Sequence, residues 1–108
     1  MIEAKFYLKW DGTYFGFSLR GHAEYADPGE DILCSAVSAL SINTVNSLER
    51  MTDDRVVVEE KNGMLRAKIS GRVSHDSHIL LKSLMIGLCE IYKEYGDQYI
   101  RILFKEVK

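Results

Sequence analysis

The sequence predicts a two-layer α+β domain in which a largely antiparallel sheet is covered on one face by two helices, in the order ββαββαβ. Three observations predict this fold. Five short segments alternate apolar and polar residues, two longer segments carry apolar residues at helical spacing, and D-G and N-G pairs mark tight turns between strands. Because the chain has 108 residues and is 46% hydrophobic, we expect one domain over residues 1–108 with one core.

Hairpins are predicted where a glycine-containing pair separates two alternating segments. Residues 2–10 and 13–19 flank the first pair, residues 55–60 and 64–70 flank the second, and residues 99–106 form the last strand. Helices that cover one face leave the other face to water or to a second subunit. The candidates for such an open surface are aromatic residues of the first hairpin, namely Trp10, Tyr14 and Phe15.

Two helices are predicted from apolar residues at helical spacing. The first runs over about residues 32–50, with Asp31 as its N-cap, and it follows a loop with turn residues at 27–29. The second follows Ser74 as N-cap and ends at Gly96.

Composition argues against several classes of partner. The net charge of −2 and the pI near 5.9 give no basic footprint, so we expect no direct contact with nucleic acid. No basic segment precedes an apolar core at the start of the chain, and no apolar run approaches the roughly 18 residues of a membrane span. We therefore expect a cytoplasmic protein without membrane contact. Its two cysteines, Cys34 and Cys89, are expected to be reduced, and Cys89 lies in the apolar stripe of the second helix.

Cys34 and His22 are the candidates for nucleophilic chemistry. Cys34 follows three residues after the predicted start of the first helix, where the helix dipole lowers a thiol pKa; the alternative is a small buried hydrophobe. His22 directly follows the second strand, and the intervening loop is long enough to bring the imidazole back to the thiol. A lone histidine at a strand end is otherwise an ordinary surface residue. Backbone N–H groups around Cys34 and Ser35 are candidates for an oxyanion site.

Other residues near Cys34 and His22 can either support the proposed chemistry or have a purely structural role. Asp31 either caps the helix or orients His22. Gly29 lets the loop bend close to a ligand. Ser38 lies one turn beyond Cys34, where its hydroxyl either hydrogen-bonds the thiolate or simply lets the helix pack closely.

Two further polar clusters are read as structural. His75, Asp76 and His78 offer ligand atoms for a metal, but two histidines three residues apart without a third strong ligand favour a helix N-terminus, so we expect no metal site. The pair Asp53-Asp54 is interpreted as a solvated turn.

The residues around Cys34 also resemble the signature of the bacterial ribosomal-processing cysteine protease family. The resemblance extends to residues 43–46 and to the order of elements, so it covers essentially the whole chain. The matching motif residues are Gly21-His22-Ala23, Gly29, Asp31-Ile32, Cys34 and Ala36-Val37-Ser38. Leu33 and Ser35 stand where the family often has valine and alanine.

The resemblance implies a cytoplasmic homodimer that removes a short N-terminal extension from a protein of the large ribosomal subunit and needs no cofactor. It implies His22 as general base and Cys34 as nucleophile. Its supporting motif residues are Gly21, Gly29, Asp31 and Ser38. We also expect a mobile loop at residues 23–30 to cover the site and to order on peptide binding.

Two other functions remain open from the sequence. A non-enzymatic module would use the thiol and histidine to bind a partner in ribosome assembly. A redox sensor would instead form a reversible disulfide between the Cys34 residues of two copies.

Overall fold

The chain folds as five strands and two helices in the predicted order ββαββαβ. The computed structural model describes residues 1–21 and 28–107, without the side chains of residues 28–31. The elements are β1 (Ile2–Lys9), β2 (Tyr14–Arg20), α1 (Pro28–Met51), β3 (Arg55–Lys61), β4 (Met64–Ser70), α2 (His75–Tyr95) and β5 (Ile100–Val107). The predicted α+β class is confirmed.

The five strands form one sheet in the order β3-β4-β2-β1-β5. The pairs β1–β2, β2–β4 and β3–β4 are antiparallel, whereas β1 and β5 pair in parallel over all eight residues of each strand. The sheet is therefore largely antiparallel, as predicted, and the parallel pair follows from the crossover through α2.

The second hairpin turns at the predicted Asn-Gly pair. Asn62 and Gly63 both have positive φ, 49° and 75°, as a two-residue hairpin loop requires. The first connection is longer than predicted, since residues 10–13 lie between the strands and the Lys9 N–H donates to the Thr13 carbonyl at 2.8 Å. A bulge at Tyr7/Leu8 adds a residue to β2 next to this turn.

Both helices pack on the same face of the sheet. Side chains alternate along a strand, so one parity of each strand forms the core with α1 and α2. Phe6 is fully buried at its centre, with the rings of Tyr14 and Phe17 at 6.0 and 6.5 Å. Tyr14 is thus a core residue, and the prediction that it lies on the open face is wrong. Trp10 is exposed and Phe15 half-buried on the open face, as predicted.

The first helix begins four residues earlier than the sequence predicted, at residue 28 instead of residue 32. Pro28 is its first residue, a position that suits proline because its φ is already helical and its missing N–H would have no partner there. Asp31 is consequently the fourth residue of α1, and the prediction that it is the N-cap is wrong. Gly29 is also helical, so the interpretation of residues 28–30 as loop is wrong as well.

The second helix begins and ends as predicted. The Ser74 side chain accepts a hydrogen bond from the Ser77 N–H at 3.2 Å, and the Gly96 N–H donates to the Tyr92 carbonyl at 2.8 Å. Neither α1 nor α2, as described, combines the length and the apolar composition of a membrane-spanning helix.

Asp54, the residue before β3, is linked to the start of α2 through hydrogen bonds. The interpretation of Asp53-Asp54 as a solvated turn is therefore wrong for Asp54. Its Oδ2 accepts hydrogen bonds from the Ser74 N–H at 2.9 Å, the Ser74 Oγ at 2.7 Å and the Ser77 Oγ at 2.6 Å. The bonds from Ser77 and Ser74 outweigh the opposing effect of burial and lower the pKa of Asp54 below its ordinary 3.8.

We expect Asp54→Ala to lower the free energy of unfolding at pH 7 by about 2 kcal/mol, because three donors lose one acceptor. Since the carboxyl pKa is lower in the folded state, this stabilisation is fully present above about pH 4 and is lost as the pH falls through the folded pKa. Urea unfolding at several pH values measures it. The matched control is Asp53→Ala, at an exposed neighbour. An equal loss in both variants at pH 7, or a difference that does not shrink as the pH is lowered, would contradict the assignment.

Candidate active site

Cys34 lies on α1 at the border between its buried and exposed faces. Its neighbours Leu33 and Val37 are 2% exposed and anchor the helix to the sheet, while Cys34 is half-buried and packs against this core from its edge. The thiol is free. A half-buried free thiol on a well-packed helix has a fixed position and remains open to a reagent from one side.

The early start of α1 changes the surroundings of Cys34. It is the seventh residue of the helix, so the N–H groups of Cys34 and Ser35 donate to carbonyls one turn back. The prediction that these N–H groups form an oxyanion site is therefore wrong. Cys34 also lies beyond the first turn, to which the effect of the helix dipole is confined.

Ser38 lies one turn beyond Cys34 and is half-buried, as the spacing predicted. One turn further, Ser41 is fully buried, and its hydroxyl has no hydrogen-bond partner within the described part of the chain. Cys34, Ser38 and Ser41 thus form a line of small polar side chains along α1.

Gly21 closes β2 and determines where the chain leaves the sheet. Its φ is 92°, and a Cβ atom at this position would overlap the carbonyl oxygen of Met1. Only glycine meets both conditions, so Gly21 has a structural role of its own. His22 follows it directly and lies outside the described residues, as do residues 23–27 and the side chain of Asp31. The predicted proximity of His22 to Cys34 and the predicted movement of this segment stay predictions.

Cys89 is the second thiol, and it packs in α2 as predicted. Its Sγ lies 3.6 Å from the Met85 Sδ, and burial raises the pKa of the Cys89 thiol. Both cysteines are free, as predicted. A thiol with a raised pKa is a poor nucleophile at neutral pH, which leaves Cys34 as the better candidate.

His78 connects α2 to the first hairpin. Its Nδ1 accepts a hydrogen bond from the Tyr14 N–H at 3.0 Å, and the rings of His75 and His78 lie 6.0 Å apart. Burial, with the positive charges of Lys82 and His75, lowers the pKa of His78 and favours the neutral ring that this bond requires. Across the side chains of residues 1–21 and 32–107, no three ligating groups gather at a common point. The contacts of His78 are those of a residue that holds two elements together.

The sequence matches a known family along almost its whole length. The family model described as "Cysteine protease Prp" matches residues 1–101. Relatives named ribosomal processing cysteine protease Prp occur in Staphylococcus aureus, at 23% identity over 97% of this chain and all of the relative, and in Bacillus subtilis, at 22% identity over 90% of this chain and 92% of the relative.

Solved structures show the same fold. The S. aureus Prp with a covalently linked product peptide has a TM-score of 0.86 at 23% identity, and the same enzyme with a substrate peptide has a TM-score of 0.88 at 22% identity. Both comparisons cover 97% of this chain and 100% of the solved one. The match over residues 1–101 and the shared fold lead to one conclusion: the chain belongs to the cysteine protease Prp family.

Proposed function

We propose that this protein is a cytoplasmic cysteine endopeptidase that removes the short N-terminal extension of a protein of the large ribosomal subunit. Cys34 is the nucleophile and His22 the general base. The position of Cys34 carries the proposal, because it is a free, half-buried thiol packed against the core, within the part of the chain that matches a cysteine protease family. The names of the relatives support the substrate.

The reaction needs two groups from this chain. His22 takes the proton of the Cys34 thiol, the sulfur attacks the carbonyl carbon of the scissile peptide bond, and His22 gives the proton to the leaving amine. Water then attacks the thioester, with His22 as base, and releases the acid and the free thiol. No cofactor takes part.

The position of Cys34 in the second turn of α1 makes His22 the main source of activation. The helix dipole does not reach that far, so a neighbouring base must supply the thiolate. We assign Ser38, one turn beyond Cys34 on the same side of the helix, the role of hydrogen-bonding the sulfur or the imidazole. Asp31 is one turn before Cys34 along α1, and we assign it the role of orienting His22, because its position inside the helix removes the alternative of an N-cap.

The first test is cleavage of a synthetic peptide that spans the N-terminal extension, followed by mass spectrometry. We expect one cut with wild-type protein and a rate reduced by about 10³-fold or more in Cys34→Ala and in His22→Ala, since each removes one reacting group. Cys89→Ala is the matched control and should cleave normally. Cleavage by Cys34→Ala, or an intact peptide with folded, reduced wild-type protein, would contradict the proposal.

The second test follows alkylation of the two thiols by iodoacetamide at neutral pH, read by mass spectrometry. We expect Cys34 to react well before Cys89, whose pKa is raised by burial. His22→Ala should slow Cys34 and leave Cys89 unchanged, because only Cys34 depends on this base. If Cys34 is alkylated at the same rate in wild type and in His22→Ala, the proposed Cys-His dyad is contradicted and the non-enzymatic binding module is favoured.

We also propose that the protein is a homodimer that associates through its helical layer. Apolar side chains are exposed on this layer, where α1 and α2 face away from the sheet; they include Leu40, Ile42, Ile79 and Ile86, each between 38% and 55% exposed. The open face of the sheet is a poorer choice, because lysine and arginine dominate its strand positions and would repel a second copy.

Sedimentation equilibrium tests the dimer and its surface. We expect a dimer for wild type and a monomer for Ile86→Glu, since a carboxylate on the helical layer would lose its hydration in the interface. The matched control, Val57→Glu, changes an equally exposed apolar residue on the sheet and should remain dimeric. A monomeric wild type would refute the dimer, and a dimeric Ile86→Glu would refute this surface.

A further inference from the structure

The open face of the sheet carries most of the positive charge of an otherwise acidic chain. The strand positions that face away from the helices hold nine of the 14 Lys and Arg residues but only two of the 16 carboxylates, Glu3 and Glu59. The nine are Lys5, Lys9, Arg20, Arg55, Lys61, Arg66, Lys68, Arg101 and Lys105, and we call this surface the basic face.

The positive charges of the basic face are largely uncompensated. Its only ion pair among the described residues joins the Arg66 Nη1 to the Glu59 Oε2 at 3.5 Å. The Arg66 Nε is buried and has no hydrogen-bond partner within the described part of the chain. A field of like charges of this size costs folding free energy, so it indicates a negatively charged partner.

At the centre of the basic face, positively charged side chains lie close to Tyr7. The Lys68 Nζ lies 4.1 Å from the centre of the Tyr7 ring, and the Tyr7 hydroxyl donates to the Ser18 Oγ at 3.2 Å. Burial alone would raise the pKa of Tyr7, but the bond with Ser18 and the charges of Arg66 and Lys68 outweigh it and lower the pKa. Tyr7 is thus covered by a cation, so the centre of the face presents positive charge to solvent and not the aromatic ring.

Aromatic rings lie beside the charges at one end of the face. Trp10 is 74% exposed and lines a groove of about 380 Å³ with Phe15, Lys9 and Val107. The Lys9 Nζ is 6.0 Å from the Phe15 ring centre, and the rings of Tyr7 and Phe15 are 6.1 Å apart. An exposed indole next to lysines can stack on a base while the lysines contact the phosphates on either side.

We propose that the basic face binds single-stranded nucleic acid, with phosphates on the lysine and arginine side chains and a base stacked on Trp10. A sheet with cations and aromatic side chains on its open face has the chemistry of a stacking platform, whose affinity comes from charge and whose bases are unpaired. This site is separate from Cys34, which lies in the helical layer, and the proposal does not rest on the protease function.

Fluorescence anisotropy of a labelled 20-nucleotide oligouridine RNA, with the full-length protein at salt concentrations from 50 to 200 mM, tests the proposal. We expect binding that weakens by about 100-fold over this range if five side chains contact phosphates. Trp10 is the only tryptophan of the chain, so its fluorescence should be quenched at the same RNA concentrations. Trp10→Ala should weaken binding by about fivefold or more without changing the salt slope.

Matched charge variants locate the site. Lys5→Gln/Lys105→Gln on the basic face should weaken binding by about tenfold and reduce the salt slope by about 1.4, the value for two phosphate contacts on a single strand. Lys82→Gln/Lys93→Gln makes the same change in net charge on α2 and should bind like wild type. Thermal unfolding confirms that each variant is folded.

Three results would overturn the proposal. The first is no binding at 50 mM salt, and the second is an equal loss in both double variants, which would mean attraction without a site. The third is binding to vesicles that contain phosphatidylserine, with the same dependence on Lys5 and Lys105 but no binding of RNA, which would assign the face to a membrane surface.

Discussion

The placement of both helices on one face of the sheet is the constraint on which the rest of the structure depends. Because side chains alternate along a strand, this placement assigns every strand residue either to the core or to the open face. In β1, Ala4 and Phe6 are buried beneath the helices, while Lys5 points the other way and meets solvent. The same constraint puts Cys34 in the helical layer, on the opposite side of the sheet from the basic face. A nucleic acid on that face would therefore leave the thiol accessible to a peptide.

The start of α1 at Pro28 has the largest effect on the chemistry of the site. It moves Cys34 from the first turn into the second, where the backbone N–H is already used within the helix. The effect of the helix dipole is confined to the first turn, so the mechanism proposed for Cys34 relies on a separate base. Under the proposed mechanism such a site would be inactive until the base is in place, which suits a protease that must spare other proteins.

The sequence was sufficient to predict the fold, because each element has a strong local signal: Asn62-Gly63 for a turn with two positive φ angles, and Ser74 for a helix start.

The errors come from signals with two meanings. Pro28-Gly29 is typical of a turn, but proline is also favoured in the first turn of a helix, and nothing local distinguishes the two. Asp54 looked like a solvated residue because its donors, Ser74 and Ser77, are some 20 residues away in the chain, and only the tertiary fold brings them together. For the candidate site, the motif supplied candidates, among them His22, Cys34 and Ser38, whose roles stay predictions. That the N–H groups of Cys34 and Ser35 lie within the helix followed only from the observed helix start.

The net charge of the chain did not reveal the basic face, and the reason is physical. Composition adds all charges together, whereas along a strand the odd and even residues point to opposite faces of the sheet. In this chain the carboxylates are concentrated in helices, turns and strand ends. The alternation of Lys5 and Lys9 with apolar residues in β1, and of Arg66 and Lys68 in β4, predicts outward-facing cations on each strand taken alone. What the sequence did not supply was the strand order. The register places Lys68 opposite Gly16, and Gly16 opposite Tyr7, so a cation of β4 covers an aromatic ring of β1, two strands away. A binding surface of this kind is a property of the assembled sheet, and it becomes visible only when charge is counted by face.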